Sequence, residues 1–169
     1  MPQLQGIEII TEVLNDFLAE FELTATPSAD FYYAWEDNQI GYALAVSEFA
    51  DTCYQNYVRE LCPQLKCDTF LLSFLHEVGH HHTIDDFSDE EYKIQQMEKN
   101  YINLRLKSPT LTEQRKIELY NEYFELAIEK VATVWAINFI ISNEDKVRKF
   151  WEKAVAAITY FYEINDIEM

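Results

Sequence analysis

The 169-residue chain reads as a mostly helical α+β fold. Three observations predict it. Gly and Pro are scarce, at 3 and 4 residues, which leaves few of the tight turns that a many-stranded barrel needs. Apolar residues recur at helical spacing over most of the length. One pair of β-rich runs, FYYAW at 31–35 and IGYALAV at 40–46, flanks the turn-like Glu36-Asp37-Asn38-Gln39 and predicts a small antiparallel hairpin. With 49% hydrophobic and 15% aromatic residues there is ample core for one domain over 1–169.

The first helix is expected over 6–23. Ile7, Ile10, Leu14, Phe17 and Phe21 lie on one face, widened by Ile9, Val13 and Leu18, and Glu8, Glu12, Asp16 and Glu20 lie opposite. Thr24 to Asp30, with Pro27, reads as a loop. The hairpin follows, with Gly41 marking a bulge or a close approach. Ser47 has the character of an N-cap, with Phe49, Cys53, Tyr57 and Leu61 behind it and Pro63 as the stop. Asp68 caps the next helix. Ser88 and Glu91 form a capping box for a helix over about 89–107 with an apolar stripe of Ile94, Met97, Tyr101 and Leu104. Ser108-Pro109 breaks it. Thr110 and Glu113 then open a long helix to about 141, apolar on nearly every face from 123 onward and so expected to run through the core. A last helix over 143–164, with Val147, Phe150, Trp151, Ala154, Val155 and Ile158 inside, is an appendage.

The chemistry concentrates in the helix capped by Asp68, which reads DTFLLSFLHEVGHHH from Asp68 to His82. His76-Glu77-Val78-Gly79-His80 is an H-E-x-x-H pattern. Positions four apart share one helix face, so His76 and His80 can offer two imidazoles to one ion, and Glu77 sits at the angle of a base acting on metal-bound water. Zn2+ is the implied cofactor. The competing reading is an ordinary amphipathic helix whose histidines merely suit its C-terminal dipole.

A catalytic zinc site needs a third protein ligand and an open position. The candidates are His81, His82, Asp85, Asp86, Glu122, Glu125 and Glu129. His81 projects about 100° away from His80 around the helix, and His82 can bend in only where the helix ends. Glu125 and Glu129 sit four apart in an apolar helix, and a carboxylate in a core needs a cationic partner. Glu129 ranks first because the small Ala132 and Ala136 follow it and leave room for another helix. Glu125 ranks second. Each Glu has a plainer alternative in a solvated flank or an ion pair, for instance with Lys130. The carboxylate not used as ligand is expected to hydrogen-bond a metal-binding histidine.

Net charge is −17, and over residues 1–68 Arg59 and Lys66 are the only bases. Such a field repels phosphate backbones and argues against direct nucleic-acid binding. It suits a basic protein partner or substrate, or simply keeps the chain dissolved. Cys53, Cys62 and Cys67 are an odd set without a secretory signal, read as ordinary thiols. No apolar run approaches the length of a bilayer span, and MPQLQGIEII has neither the basic start nor the apolar block of a signal peptide, so a cytoplasmic protein is expected.

On these residues the chain resembles a zincin-type metallopeptidase of the His-His-Glu, or gluzincin, branch. Within it, Glu129-Lys-Val-Ala132-Thr-Val-Trp135-Ala136 resembles the Glu-x-x-Ala-x-x-Phe-Ala pattern of the ImmA/IrrE type, with Trp135 in place of Phe. The resemblance covers roughly residues 28–141. It implies a minimal zincin-like core: a small sheet packed on the H-E-x-x-H helix, and a long helix bearing Glu129 as third ligand. The connection from His80 to Glu129 is longer than that family's, because the 89–107 helix is inserted. There is no helix-turn-helix module, so the repressor-cleaving role of such relatives does not carry over.

The function expected is zinc-dependent hydrolysis of a peptide bond in a protein or peptide substrate. Glu77 serves as base, and a substrate strand adds to the exposed edge of the 31–46 hairpin. The alternative from another class is a catalytically inactive, zincin-like acidic adaptor that docks a basic protein.

Overall fold

The computed structural model describes residues 5–168, which form seven α-helices and one three-stranded mixed sheet. This is the mostly helical α+β class that the sequence predicts. The chain divides into two compact units. One comprises the residues up to Leu44 together with Phe139 onward, and the other runs from Ala45 to Asn138.

In the first unit α1 (Ile7–Leu18) buries Ile10, Leu14, Phe17 and Leu18, the stripe its periodicity predicts, although Ile9 is exposed. A short 3-10 turn over Ala19–Phe21 ends it. The sheet holds β1 (Thr24–Pro27), β2 (Tyr32–Ala34) and β3 (Gln39–Tyr42) in the order β1-β3-β2. β2 and β3 are the antiparallel hairpin, shorter than expected because β3 stops at Tyr42. The stretch read as a loop before it is instead a third strand, paired parallel to β3 with Ala25 opposite Ile40. Local turn chemistry at Pro27 gave no sign of this, since Pro is tolerated on an edge strand. A side chain supplies the missing signal: Asn15 accepts a 2.7 Å hydrogen bond from the Ala25 N–H, tying β1 to α1. Gly41 marks a close approach, because the ring of its cross-strand partner Tyr32 occupies the space a Cβ would need. The last helix, α7 (Glu144–Ile164), packs on α1, and Phe150 stacks on Phe17 at 4.1 Å between centroids. Its buried face is Val147, Phe150, Ala154, Ala157 and Phe161. Val155, expected inside, is exposed, because the face turns with the 3.6-residue period towards Ala157 and Phe161.

The second unit begins with α2 (Glu48–Leu61), capped by Ser47 as expected, and α3 (Thr69–Thr83), where the Asp68 carboxylate accepts from the Phe70 N–H at 2.8 Å. Leu71, Leu72, Phe74, Leu75 and Val78 of α3 are almost wholly buried, each contributing about 1.5–3 kcal/mol. α4 (Asp89–Leu106) opens with the full Ser88/Glu91 capping box. Its packing overturns the sequence reading. Ile94, Met97, Tyr101 and Leu104, the expected core stripe, are 50–71% exposed. The inward face is instead Gln95, Lys99 and Ile102, spaced i, i+4, i+7, and its polar members have work to do at the site described below.

The long helix expected to about 141 is two helices. α5 (Glu113–Glu125) is capped by Thr112 rather than Thr110, and α6 (Ala127–Ser142) starts after an extended Leu126, with φ −54° and ψ 136°. α6 is also one-sided rather than buried all round. Ile128, Glu129, Ala132, Thr133, Ala136 and Ile137 face inward, while Val134 and Ile141 are exposed. No helix of the described residues is long and apolar enough to cross a membrane.

Candidate metal centre

α3 and α6 meet where both are stripped to small residues. A Cβ built on Gly79 would lie 2.5 Å from the carbonyl oxygen of Ala132 and 3.1 Å from its Cα. Only a residue without a side chain permits this approach. The contact sits one residue before His80 and one helical turn after Glu129, so it sets the distance between the motif and its carboxylate.

At that distance the imidazoles of His76 and His80, one turn apart on α3, converge on a single oxygen. Glu129 Oε2 is 2.9 Å from His76 Nε2 and 3.4 Å from His80 Nε2. The three donor atoms lie within 4.8 Å of one another, and the group could hold a metal ion. Glu129 is 2% exposed. Burial works against its charge, but the His80 and His76 partners outweigh burial and hold its carboxyl well below the usual carboxylate range. Its place in the chain helps. The break at Leu126 puts Glu129 in the first turn of α6, where helix N–H dipoles favour an anion.

Two of the three side chains are held from behind. His76 Nδ1 lies 3.0 Å from the hydroxyl of Thr133, and that hydroxyl is 3.2 Å from the buried Tyr54 hydroxyl. A hydroxyl both donates and accepts, so Thr133 suits His76 in either neutral tautomer: accepting from Nδ1–H when Nε2 is a ligand, donating to Nδ1 when Nε2–H faces Glu129. The second carboxylate oxygen, Glu129 Oε1, accepts a 2.8 Å charged hydrogen bond from Lys99 Nζ of α4. Four residues earlier on the same face, the Gln95 side chain accepts from the Ile128 N–H at 3.4 Å, satisfying a donor that the break at Leu126 frees. One face of α4 therefore stabilises both the start of α6 and its carboxylate.

Glu77 lies beside the triad without being part of it. Burial pushes its carboxyl up to about 7. His76 and Lys99 oppose that rise and Glu129 adds to it. Tyr123 borders the same space, with Lys99 Nζ 5.3 Å from its ring centre. Burial, reinforced by Glu129, raises its phenol, with Lys99 acting the other way.

The structure thus brings together His76, His80 and Glu129, with Glu77 adjacent. It separates out the alternates. Glu125 lies on the exposed end of α5, paired with Lys130 at 2.8 Å, the ion pair weighed as its plainer reading. The hydrogen bond to a histidine that the unused carboxylate was expected to make comes from Thr133 instead. His82 stacks on Trp135 at 4.5 Å and 10°, so the Trp that departs from the ImmA/IrrE pattern has its own local partner. His81 contacts His82 edge-on. Glu122 pairs with Arg115 at 3.3 Å on the surface of α5, and Asp85 and Asp86 are exposed in a 3-10 turn. None of these joins the triad. Lys99, Gln95, Thr133 and Tyr54 are the site residues that sequence reasoning missed. The i, i+4, i+7 spacing of Gln95, Lys99 and Ile102 was readable, but a longer apolar stripe on the other face outvoted it.

An open groove between α2 and α5, lined by Glu48, Phe49, Cys53, Glu113 and Ile117 among others, shares no residue with the triad. Donor chemistry rather than concavity picks out the site. No protein-family model matches the chain, and no curated protein or solved structure is significantly similar to it.

Proposed function

We propose that the chain is a zinc-dependent metallopeptidase that hydrolyses a peptide bond in a protein substrate. The observation that carries this reading is the convergence of two imidazoles from one helix and a buried carboxylate from another, with a second carboxylate next to them. The donor set fits zinc. Ligand bonds of about 2.0–2.2 Å in a tetrahedron place neighbouring donors about 3.3–3.5 Å apart. The Glu129–His76 and Glu129–His80 separations, 2.9 and 3.4 Å, fall within about half an ångström of that edge. Two nitrogens and one oxygen are also the donors that a hydrolytic zinc site uses with a fourth position left open.

Zinc at this triad would supply a Lewis acid for the scissile carbonyl and an acidified water. The chain's own residues do the rest. His76, His80 and Glu129 hold the ion. Thr133 fixes the His76 ring. Glu77 takes a proton from the attacking water as the new carbon–oxygen bond forms, and passes it to the amine nitrogen as the carbon–nitrogen bond breaks. The order H-E-x-x-H followed by Glu129 on a later helix agrees with the gluzincin resemblance, and with its ImmA/IrrE branch at Ala132 and Ala136. The three free thiols Cys53, Cys62 and Cys67 agree with a reducing compartment such as the cytoplasm. The acidic surface suits a basic substrate segment.

The test is elemental analysis of the gently purified protein, followed by cleavage assays on a basic peptide library with wild type and Glu77→Gln. Stoichiometric zinc in both, with turnover lost only in the variant, is expected. Equal hydrolysis by the variant would refute Glu77 as base. One observation favours the second reading, a metal-free acidic adaptor: Lys99 already satisfies the Glu129 charge. Absence of zinc after purification, with no gain in thermal stability on adding it, would favour that reading.

A further inference from the structure

Glu129 divides its two oxygens between two kinds of partner. Oε2 faces the imidazoles at 2.9 and 3.4 Å, and Oε1 faces the Lys99 ammonium at 2.8 Å. The imidazoles reach Oε2 alone. The second oxygen of a carboxylate this deeply buried needs a partner of its own. Lys99 meets it with a full positive charge. Its side chain is 25% exposed, runs inward from α4, and ends among Glu129, Glu77 and Tyr123.

We propose that Lys99 is an internal counter-cation that shares Glu129 with a divalent metal, neutralising the carboxylate in the metal-free protein and loosening the metal's hold on the site. The inference rests on the reading that the triad binds zinc, and it adds a determinant of how tightly. An ammonium fixed on one carboxylate oxygen stands a few ångströms from any ion bound at the other. In a partly buried site the repulsion between them is only weakly screened. The metal-free protein therefore keeps a folded, charge-satisfied site, and the ion enters against a resident positive charge.

A mere brace and a counter-cation predict opposite signs. Loss of a brace that only orients Glu129 weakens metal binding, typically by about 10- to 100-fold. Loss of the counter-cation strengthens it. The experiment is competition of the full chain with a chromophoric chelator for zinc, using wild type, Lys99→Met, Lys99→Gln and Lys99→Arg. A urea titration of the chelator-treated proteins runs in parallel, with and without Glu129→Gln. Expected are zinc binding about tenfold or more tighter in Lys99→Met and Lys99→Gln, and no such gain in Lys99→Arg, which keeps the charge. The metal-free urea midpoint should also fall in Lys99→Met, and that fall should vanish when Glu129 is already Gln. Unchanged or weaker zinc binding in whichever neutral variant remains folded overturns the proposal. So does an equal loss of midpoint in the Glu129→Gln background. If neither wild type nor the neutral variants take up zinc, the metallopeptidase reading and the metal-sharing half both fall. If wild type alone retains zinc, only the inference falls.

Discussion

Gly79→Ala separates the helix-contact account of this site from every explanation based on local propensity. Within an ordinary helix the change favours folding by about 0.8–1.0 kcal/mol, because Ala is the better helix former. Here the added Cβ would meet three backbone atoms of Ala132, the nearest at 2.5 Å, whereas ordinary contact begins at 3.4 Å. The shortfall is about 0.9 Å, and no rotamer can absorb it because the obstacle is main chain. α3 and α6 must separate locally. Overpacking of this kind costs about 1–3 kcal/mol, and a main-chain clash belongs at the upper end. The net expectation is a loss of about 2 kcal/mol, or about 4–8 °C in Tm for a chain of this size. Metal binding should suffer more than folding. Ligand distances are tolerated within about 0.2 Å, and the displaced atoms are next to His80 and one turn from Glu129. A loss in zinc affinity on the order of 100-fold follows. Urea titrations with chelator present give the stability change, and chelator competition gives the affinity. A Gly79→Ala protein that is more stable by about 1 kcal/mol and binds zinc as wild type does would refute the reasoning, because it would mean the helices do not approach as described.

Three further outcomes are expected. Glu129→Gln should abolish zinc binding and destabilise the metal-free protein by about 2 kcal/mol, because Lys99 is left beside an uncharged amide. Glu125→Gln, whose ion pair with Lys130 is half exposed, should change stability by no more than about 0.5 kcal/mol and leave zinc content unaltered; urea midpoints and elemental analysis compare the two. Thr133→Val keeps the shape but removes the hydroxyl 3.0 Å from His76 Nδ1 and leaves that of Tyr54 at 3.4 Å. Zinc affinity should fall about 10- to 100-fold, with about 1 kcal/mol lost in stability, read by the same titrations. Glu91 accepts from the Ser88 N–H in the capping box, which holds its carboxyl below the usual value of 4.5. A depressed folded-state pKa means stabilisation that is present above the unfolded value and lost as pH falls through the folded one. Wild type should therefore exceed Glu91→Gln in urea midpoint at pH 7, and the gap should close on acidification below about 4.5.

What the sequence disclosed and what it withheld differ by the kind of interaction that decides them. Most signals that act within a turn or two were legible: Ser47, Asp68 and the Ser88/Glu91 box all cap where their chemistry says, and His76 and His80 share a face because the helix period requires it. Even Glu129 over Glu125 was readable, from the two small residues that follow it. Apart from the α5 cap, which is Thr112 and not Thr110, the failures are tertiary. β1 forms because Asn15 reaches Ala25 and β3 offers it an edge. The α4 stripe lies outside because the opposite face, with Gln95 and Lys99, has partners that no periodicity reveals. The break at Leu126 has no Gly or Pro to announce it.

These last two failures have one cause, and the site depends on it. An unbroken helix through 126 would leave Glu129 in mid-helix, without free N–H dipoles nearby and with no orphan N–H at Ile128 for Gln95 to satisfy. Breaking the helix exposes backbone donors and gives up intrahelical hydrogen bonds. α4 makes the break tolerable by accepting one of those donors with Gln95 and neutralising the adjacent carboxylate with Lys99. The polar face that makes α4 look wrong as a core helix is therefore what allows α6 to begin where it does, with a buried anion aimed at two imidazoles. Residues that defy local rules while compensating one another mark a constructed site rather than a packing accident. Here the coupled exceptions are Leu126, Gln95, Lys99 and Glu129, drawn from two helices about thirty positions apart.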